Sequence, residues 1–227
     1  MNFNQYKNSY TQTIEESLRI SGKEHDFFTQ AKANFLKTII TRDLSAIKNP
    51  TLVDIGCGHG LIHKHLQDKA IQITGVEVAD EVLELARQAN PQVSYYAYDG
   101  KTLPFSSQQF DIAIAICVMH HVQPAQWQDF LVEMKRTLKK NGIAVIFEHN
   151  PYNPLTRYIV ANNILDKDAV LLSSIKLKKL FRGAGFHRVY SRNILFTPFA
   201  NKFFRWLDAK LGYIPFGAQY YTVGINT

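Results

Sequence analysis

The stretch Leu52-Val53-Asp54-Ile55-Gly56-Cys57-Gly58-His59-Gly60 constrains the fold more than any other part of the chain. Apolar residues around a single acid read as a short buried strand, and three glycines at alternate positions close it. A helical pattern follows at once through Leu61, Ile62 and Leu66. Strand, glycine turn and helix begin a βαβ unit, whose nucleotide-like ligand lies beyond the strand's C-terminal end. A Cβ in that turn would hold the backbone away from the ligand, and some turn positions need φ > 0. The next strand-like run, Ile71 to Glu77, ends in an acid 21 residues after Gly56. A carboxylate there can accept both hydroxyls of an adenosine ribose.

The rest of the chain bounds what surrounds this unit. With 227 residues, 46% of them hydrophobic, it is long enough for one domain with a sizeable core. The longest apolar run is Ile112 to Met119, far short of the roughly 18 residues that span a bilayer. The start, Met1 to Tyr6, lacks the build of a signal peptide. Two cysteines 60 residues apart, Cys57 and Cys117, predict free thiols in a reducing cytoplasm. Charge is uneven. Residues 1–150 carry 15 Lys and Arg against 16 Asp and Glu, whereas residues 151–227 carry 11 against 3, so the net +7 comes wholly from the last third.

Two ligand classes fit the glycine turn. A dinucleotide fingerprint wants its third glycine at position 61, which is Leu61. The third glycine is Gly60 instead, giving Asp-x-Gly-x-Gly-x-Gly. With the acid that ends the second strand, this resembles the first motifs of the class I S-adenosylmethionine (SAM) dependent methyltransferases of small-molecule type. The resemblance is specific over about residues 50–150 and extends to the final third by layout. It implies a doubly wound α/β fold: a mostly parallel, seven-stranded Rossmann-like sheet of order 3-2-1-4-5-7-6, strand 7 antiparallel, with helices on both faces. Residues 1–45 would form an N-terminal helical cap, 50–150 the SAM-binding core, and 151–227 the acceptor side of the same domain, with a helical insertion between strands 6 and 7.

Later segments follow in the family's order. A helix from Glu81 to Ala89 stops at Asn90-Pro91, and Gln92 to Tyr98 alternates into a third strand that closes on Asp99-Gly100. In such methyltransferases an acid at this point accepts from the adenine amino group, and its neighbour's N–H reaches the ring. Ile112 to Met119 reads as a central strand buried on both faces. Its tail, Cys117-Val118-Met119-His120-His121-Val122, resembles the fourth motif of small-molecule methyltransferases, where a histidine ends the strand beside the reactive methyl. It lacks the Asn/Asp-Pro-Pro-aromatic turn of enzymes that methylate the exocyclic amines of bases. Pro124 opens a helix through Trp127, Phe130, Leu131 and Met134. Leu138 to Lys140 reads as that helix's end, Asn141-Gly142 as a turn, and Ile143 to Phe147 as strand five, closing on Glu148-His149.

The residues expected to hold SAM are therefore Asp54, Gly56, Cys57, Gly58, Glu77, Val78, Asp99, Gly100 and Cys117. A hydroxyl acceptor needs its proton removed, and His is the usual base near neutral pH. His120 and His149, at the ends of adjacent strands, are the candidate catalytic residues; His121 is read as pinning the following helix. No metal ligands are expected: His59, His63 and His65 do not share a helix face.

The termini bear on the acceptor. A first helix from Thr13, and a second with Phe28, Ala31, Phe35, Leu36 and Ile39 on one face, cover the sheet; Tyr6, Tyr10 and His25 are candidates for a lid. Ser173-Ser174 caps a helix ended by Gly183, Arg188 to Phe196 reads as strand six, and Gln219 to Val223 as the last strand. Between them Phe199, Phe203, Phe204 and Trp206 alternate with Lys202, Arg205 and Lys210. Such a helix fits an anionic or lipid-linked small acceptor, or peripheral contact with an anionic membrane. Three other readings stand beside the methyltransferase: a nicotinamide-dependent oxidoreductase, a non-catalytic SAM-binding protein, and an RNA methyltransferase, whose sole support is the basic tail.

Overall fold

The structure, a computed structural model, describes residues 26–67, 70–163, 166–197 and 210–227. A helix over 26–43 (α1) precedes β1 (Thr51–Ile55), β2 (Gln72–Glu77), α2 (Asp80–Ala89), β3 (Ser94–Ala97) and β4 (Phe110–Ile116). Then come α3 (Trp127–Thr137), β5 (Leu138–His149), α4 (Pro154–Asn162), α5 (Ser174–Gly183), β6 (His187–Ile194) and β7 (Gln219–Ile225). The strands form one sheet in the order β3-β2-β1-β4-β5-β7-β6. β1 to β5 pair in parallel, and β7 runs antiparallel to both β5 and β6. This is the expected topology. The first helix from Thr13, the lid candidates Tyr6, Tyr10 and His25, and the aromatic insertion at 198–209 lie outside the described residues.

Alternation along the central strands builds two cores. Leu52 of β1, Ile112 and Ile114 of β4, and Ile143, Val145 and Phe147 of β5 face α1 and α2. There they meet Ala33, Leu36 and Ile39 from α1 and Leu83 and Ala86 from α2, with Phe28, Ala31 and Phe35 packed alongside. Val53, Ile55, Ala113, Ala115, Ala144 and Ile146 face the other way, onto Trp127, Leu131 and Met134 of α3 and Leu177 and Phe181 of α5. Side chains of successive strand residues point to opposite faces, so an unbroken apolar run serves both layers. β4 puts isoleucines on one side and alanines on the other, which leaves room for bulky α3 residues.

Strand ends shift by up to two residues from the sequence reading, α4 was not anticipated by it, and three larger differences have a physical cause. After the glycine turn the chain forms a single 3₁₀ turn, His63–His65, in place of an immediate α-helix. His63 is fully buried there, its ring anchored between two β-strand partners, and its N–H donates to the Gly60 carbonyl in an i→i+3 bond of 3.0 Å. β4 stops at Ile116, because Cys117 takes a left-handed conformation (φ 57°) that breaks the extended chain. Leu138 to Lys140 belong to β5: Leu138 pairs with Phe110, and the register shifts before Ile112 pairs with Ile143. Asn141, at φ 63°, accommodates that irregularity.

Candidate active site

The sheet order reverses between β1 and its two neighbours: β2 and β3 lie on one side, β4 and β5 on the other. Chains leaving the C-terminal ends of β1 and β4 therefore turn apart and open a crevice at this edge. Two groups of side chains line it, one from β1 to β3 and one from β4, β5 and β7.

The first group is built on the glycine turn. The N–H groups of Gly56 and Cys57 both donate to the Val76 carbonyl (2.8 and 3.0 Å), folding the turn over β2. Gly58 donates its N–H to Glu77 Oε2 at 3.0 Å, and Val78 donates to Oε1 at 2.7 Å. Burial lifts the Glu77 carboxyl above its usual range, against the pull of these backbone donors. Gly56, Gly58 and Gly60 all have positive φ, at 72°, 51° and 64°. A Cβ on Gly60 would strike the Tyr95 hydroxyl and His63 Nδ1, whereas one on Gly58 would meet nothing within 4 Å. Gly60 is thus needed for packing, and Gly58 for a conformation that leaves open space above the backbone.

Asp54 lies under this turn, 2% exposed. Its Oδ2 pairs with His63 Nε2 at 3.0 Å, and His63 Nδ1 meets the Tyr95 hydroxyl at 2.7 Å. Asp54 Oδ1 is buried with no hydrogen-bond partner among the described residues. An orphaned carboxylate oxygen, an acid at the tip of β2 and open space over Gly58 fit the amino-acid and ribose portions of SAM. Beyond them the Tyr98 N–H donates to the Glu77 carbonyl at 3.2 Å, so Asp99 and Gly100 follow beside Glu77. Asp99 is exposed; the N–H groups of Thr102 and Lys101 donate to its Oδ1 and hold its carboxyl below the usual range. A Cβ on Gly100 would stand 3.4 Å from Val78 Cγ1. Eight of the nine residues expected to hold SAM thus lie along the ends of β1, β2 and β3.

Cys117 stands with the second group. Its Sγ lies 3.7 Å from both Lys32 Nζ and Gln219 Nε2. Burial raises the thiol, but Lys32 and His149 outweigh it and bring the pKa down to about 7. His149 is half-buried at the end of β5, with Nδ1 3.4 Å from Gln219 Nε2. Burial opposes charging its ring, yet the Cys117 thiolate raises its pKa above the ordinary value.

His120 is fully enclosed. Its Nδ1 meets Glu148 Oε2 at 2.6 Å, and its Nε2 lies 3.4 Å from Asp166 Oδ1. Glu148, 0% exposed, also accepts the Met119 N–H at 2.8 Å. Burial disfavours charge on this ring, but the Glu148 and Asp166 carboxylates prevail and raise its pKa well above the ordinary value. His121 is adjacent, with Nε2 3.5 Å from the same Asp166 oxygen. Burial and the His120 charge push its pKa down to about 4.

Sequence reading missed Glu148 and Asp166 as partners of His120, and Lys32 and Gln219 as neighbours of Cys117. Glu148 carried a signal, an acid at the very end of a buried strand. Asp166 lies in a loop 46 residues after His120 with no periodicity around it, and nothing local marks it.

Comparisons with known proteins agree with this geometry. Residues 53–146, from β1 to β5, match the family described as a methyltransferase domain. The chain is 27% identical over 119 residues to the ubiquinone biosynthesis O-methyltransferase of Rickettsia bellii, covering 51% of this chain and 48% of that protein. It is 33% identical over 97 residues to the tRNA (carboxymethyluridine(34)-5-O)-methyltransferase of Saccharomyces cerevisiae, covering 42% of this chain and 34% of that protein. The chain thus spans half or less of the length of these relatives. Among solved structures, a SAM-dependent methyltransferase of Thermotoga maritima superposes with a TM-score of 0.72 at 20% identity, over 98% of both chains. That likeness is one of fold.

Proposed function

We propose that the class I, SAM-dependent methyltransferase domain carried by this chain methylates a hydroxyl of a small, partly apolar acceptor. The observation that carries this reading is the adjacency of the two groups: a cradle of Gly58, Glu77 and Asp54, and a polar cluster of Cys117, His149 and Gln219, joined where Gly56 lies against Val118. SAM supplies a methyl group already activated on its sulfonium, so the protein's part is orientation and proton management. Asp54, Gly56, Cys57, Gly58, Glu77, Val78, Asp99 and Gly100 hold it; Cys117 closes the pocket between donor and acceptor.

Of the two candidate bases, His149 is better placed. His120 has both ring nitrogens turned toward carboxylates, Nδ1 to Glu148 and Nε2 to Asp166, and is fully enclosed. His149 is half-buried at the end of β5, beside Gln219. In its neutral form it removes the acceptor proton as the oxygen attacks. The relatives named for ubiquinone biosynthesis support an oxygen acceptor, and the family match from β1 to β5 supports SAM over a nicotinamide cofactor.

A lipid-linked acceptor fits the surface beyond the pocket. Leu155, Tyr158 and Ile159 on α4 and Tyr213 and Phe216 nearby are all exposed, and Asn153 Nδ2 donates to the Phe216 carbonyl (2.7 Å), joining the two segments. No helix among the described residues is long and apolar enough to cross a membrane. A single domain working in the cytoplasm, touching anionic membranes through its basic last third, accommodates these features and the free cysteines.

Screening phenolic, catecholic and amine acceptors by release of S-adenosylhomocysteine tests the proposal. Turnover of a phenol or catechol is expected, falling by about 10²-fold or more in His149→Ala with SAM binding intact. Turnover of amines alone, or full activity in His149→Ala, would contradict it.

A further inference from the structure

The pair His120–His121 has a use that methyl transfer does not require. We propose that His120, His121 and Asp166 form a tetrahedral zinc site with one open position. The three side chains bring their ligand atoms within 4.8 Å of one another. Asp166 Oδ1 lies 3.4 Å from His120 Nε2 and 3.5 Å from His121 Nε2. Both separations exceed a good N–H···O bond, about 2.7–3.2 Å. They match the edge of a tetrahedron with metal bonds of about 2.1 Å, which is about 3.4 Å; an octahedral edge would be nearer about 3.0 Å. Two imidazoles and one carboxylate suit zinc, and three protein ligands leave a fourth position for water or an acceptor oxygen.

The surroundings hold the ligands as a metal site needs. His120 Nδ1 meets Glu148 at 2.6 Å, and Glu148 is itself fixed by the Met119 N–H at 2.8 Å. This is the outer-carboxylate arrangement that sets a ligating histidine's tautomer and aims its other nitrogen at the metal. Asn163 Nδ2 donates to Asp166 Oδ2 at 2.7 Å, leaving Oδ1 as the ligand atom. The Val170 N–H donates to the His120 carbonyl at 2.8 Å and ties the Asp166 segment to the histidine turn. The two rings converge to 4.1 Å between centroids, although they belong to consecutive residues. His121 Nδ1 is buried without a partner among the described residues, so the ring's polar interaction is made through Nε2.

Metal binding at these residues is independent of methyl transfer, so the metal alone is the probe. Untagged full-length protein, stripped with chelator, is titrated calorimetrically with zinc chloride and, separately, with cobalt(II) followed in the visible spectrum. The expected result is one zinc per chain, with the intense absorption of four-coordinate cobalt. His121→Ala and Asp166→Asn should each weaken zinc binding by at least about tenfold, as should Glu148→Gln acting through His120. Each variant's fold is checked by circular dichroism; Asp166→Asn keeps the shape of its side chain and guards against loss of fold in the others. Absence of zinc binding by the folded wild type, unchanged affinity in folded His121→Ala and Asp166→Asn, or the weak spectrum of six-coordinate cobalt would overturn the proposal.

Discussion

Cys57 and Cys117 show how far environment outweighs residue type. Both lie in turns at the crevice, yet Cys57 sits where burial and the nearby Asp54 and Glu77 carboxylates raise its thiol pKa beyond any accessible range. Cys117 faces Lys32 and His149, which bring its pKa down to about 7 despite burial and the opposing Glu148. The thiolate is the reactive form, so alkylation by iodoacetamide should select Cys117. Its rate should rise with pH through about 7, below the about 8.5 of a free thiol. Peptide mapping after timed labelling reads this directly; a rate still climbing above pH 8, or equal labelling of Cys57, would contradict it. At this scale the sequence was partly legible. The resemblance to a local motif singled out Asp54, Glu77 and Asp99, and the fold brings all three to the same edge of the sheet. The meaning of His120 was not legible, since its character comes from Glu148 and Asp166, which only the fold brings near.

Elements were easier to find than to delimit. α2 and α5 fall within a residue of their sequence signals. The latter is capped by Ser173, whose side chain accepts the Lys176 N–H. The errors cluster where tertiary contacts override local pattern: the buried His63 at the glycine turn, and Leu138, drawn into β5 by pairing with Phe110. Near that second site Asp111 fastens three strands at their N-terminal ends. Its Oδ2 accepts the Thr51 N–H (2.9 Å), the Thr51 hydroxyl (2.7 Å) and Lys139 Nζ (2.9 Å). Burial raises the carboxyl, but these donors outweigh it and leave the folded-state pKa below the unfolded one. The stabilisation is thus present above the unfolded value and is lost as pH falls through the folded one. Asp111→Asn should cost about 1–3 kcal/mol at pH 7. The gap between wild type and variant should narrow toward pH 2. Urea melts at several pH values test this; a gap that does not change with pH would contradict it.

Over the whole molecule, chemistry divides along the sheet. The glycine-rich half from β1 to β3 presents Asp54, Glu77 and Asp99, while β4, β5 and β7 present the histidines, Cys117 and Gln219. The net positive charge lies in the last third of the chain, with 11 Lys and Arg against 3 Asp over residues 151–227. The strand order could be anticipated because the motifs at the strand ends resemble a family whose sheet has this order, and the observed order matches it. The meeting of α4 with the 213–216 segment was not readable, since only the folded chain brings Asn153 to the Phe216 carbonyl.

If the cradle around Glu77 holds SAM, calorimetric titration should show one-site, micromolar binding of SAM to the wild type. Glu77→Ala, still folded, should lose at least about 1.5–3 kcal/mol, as removal of hydrogen bonds to a charged group implies. Equal affinity in the two proteins would contradict it.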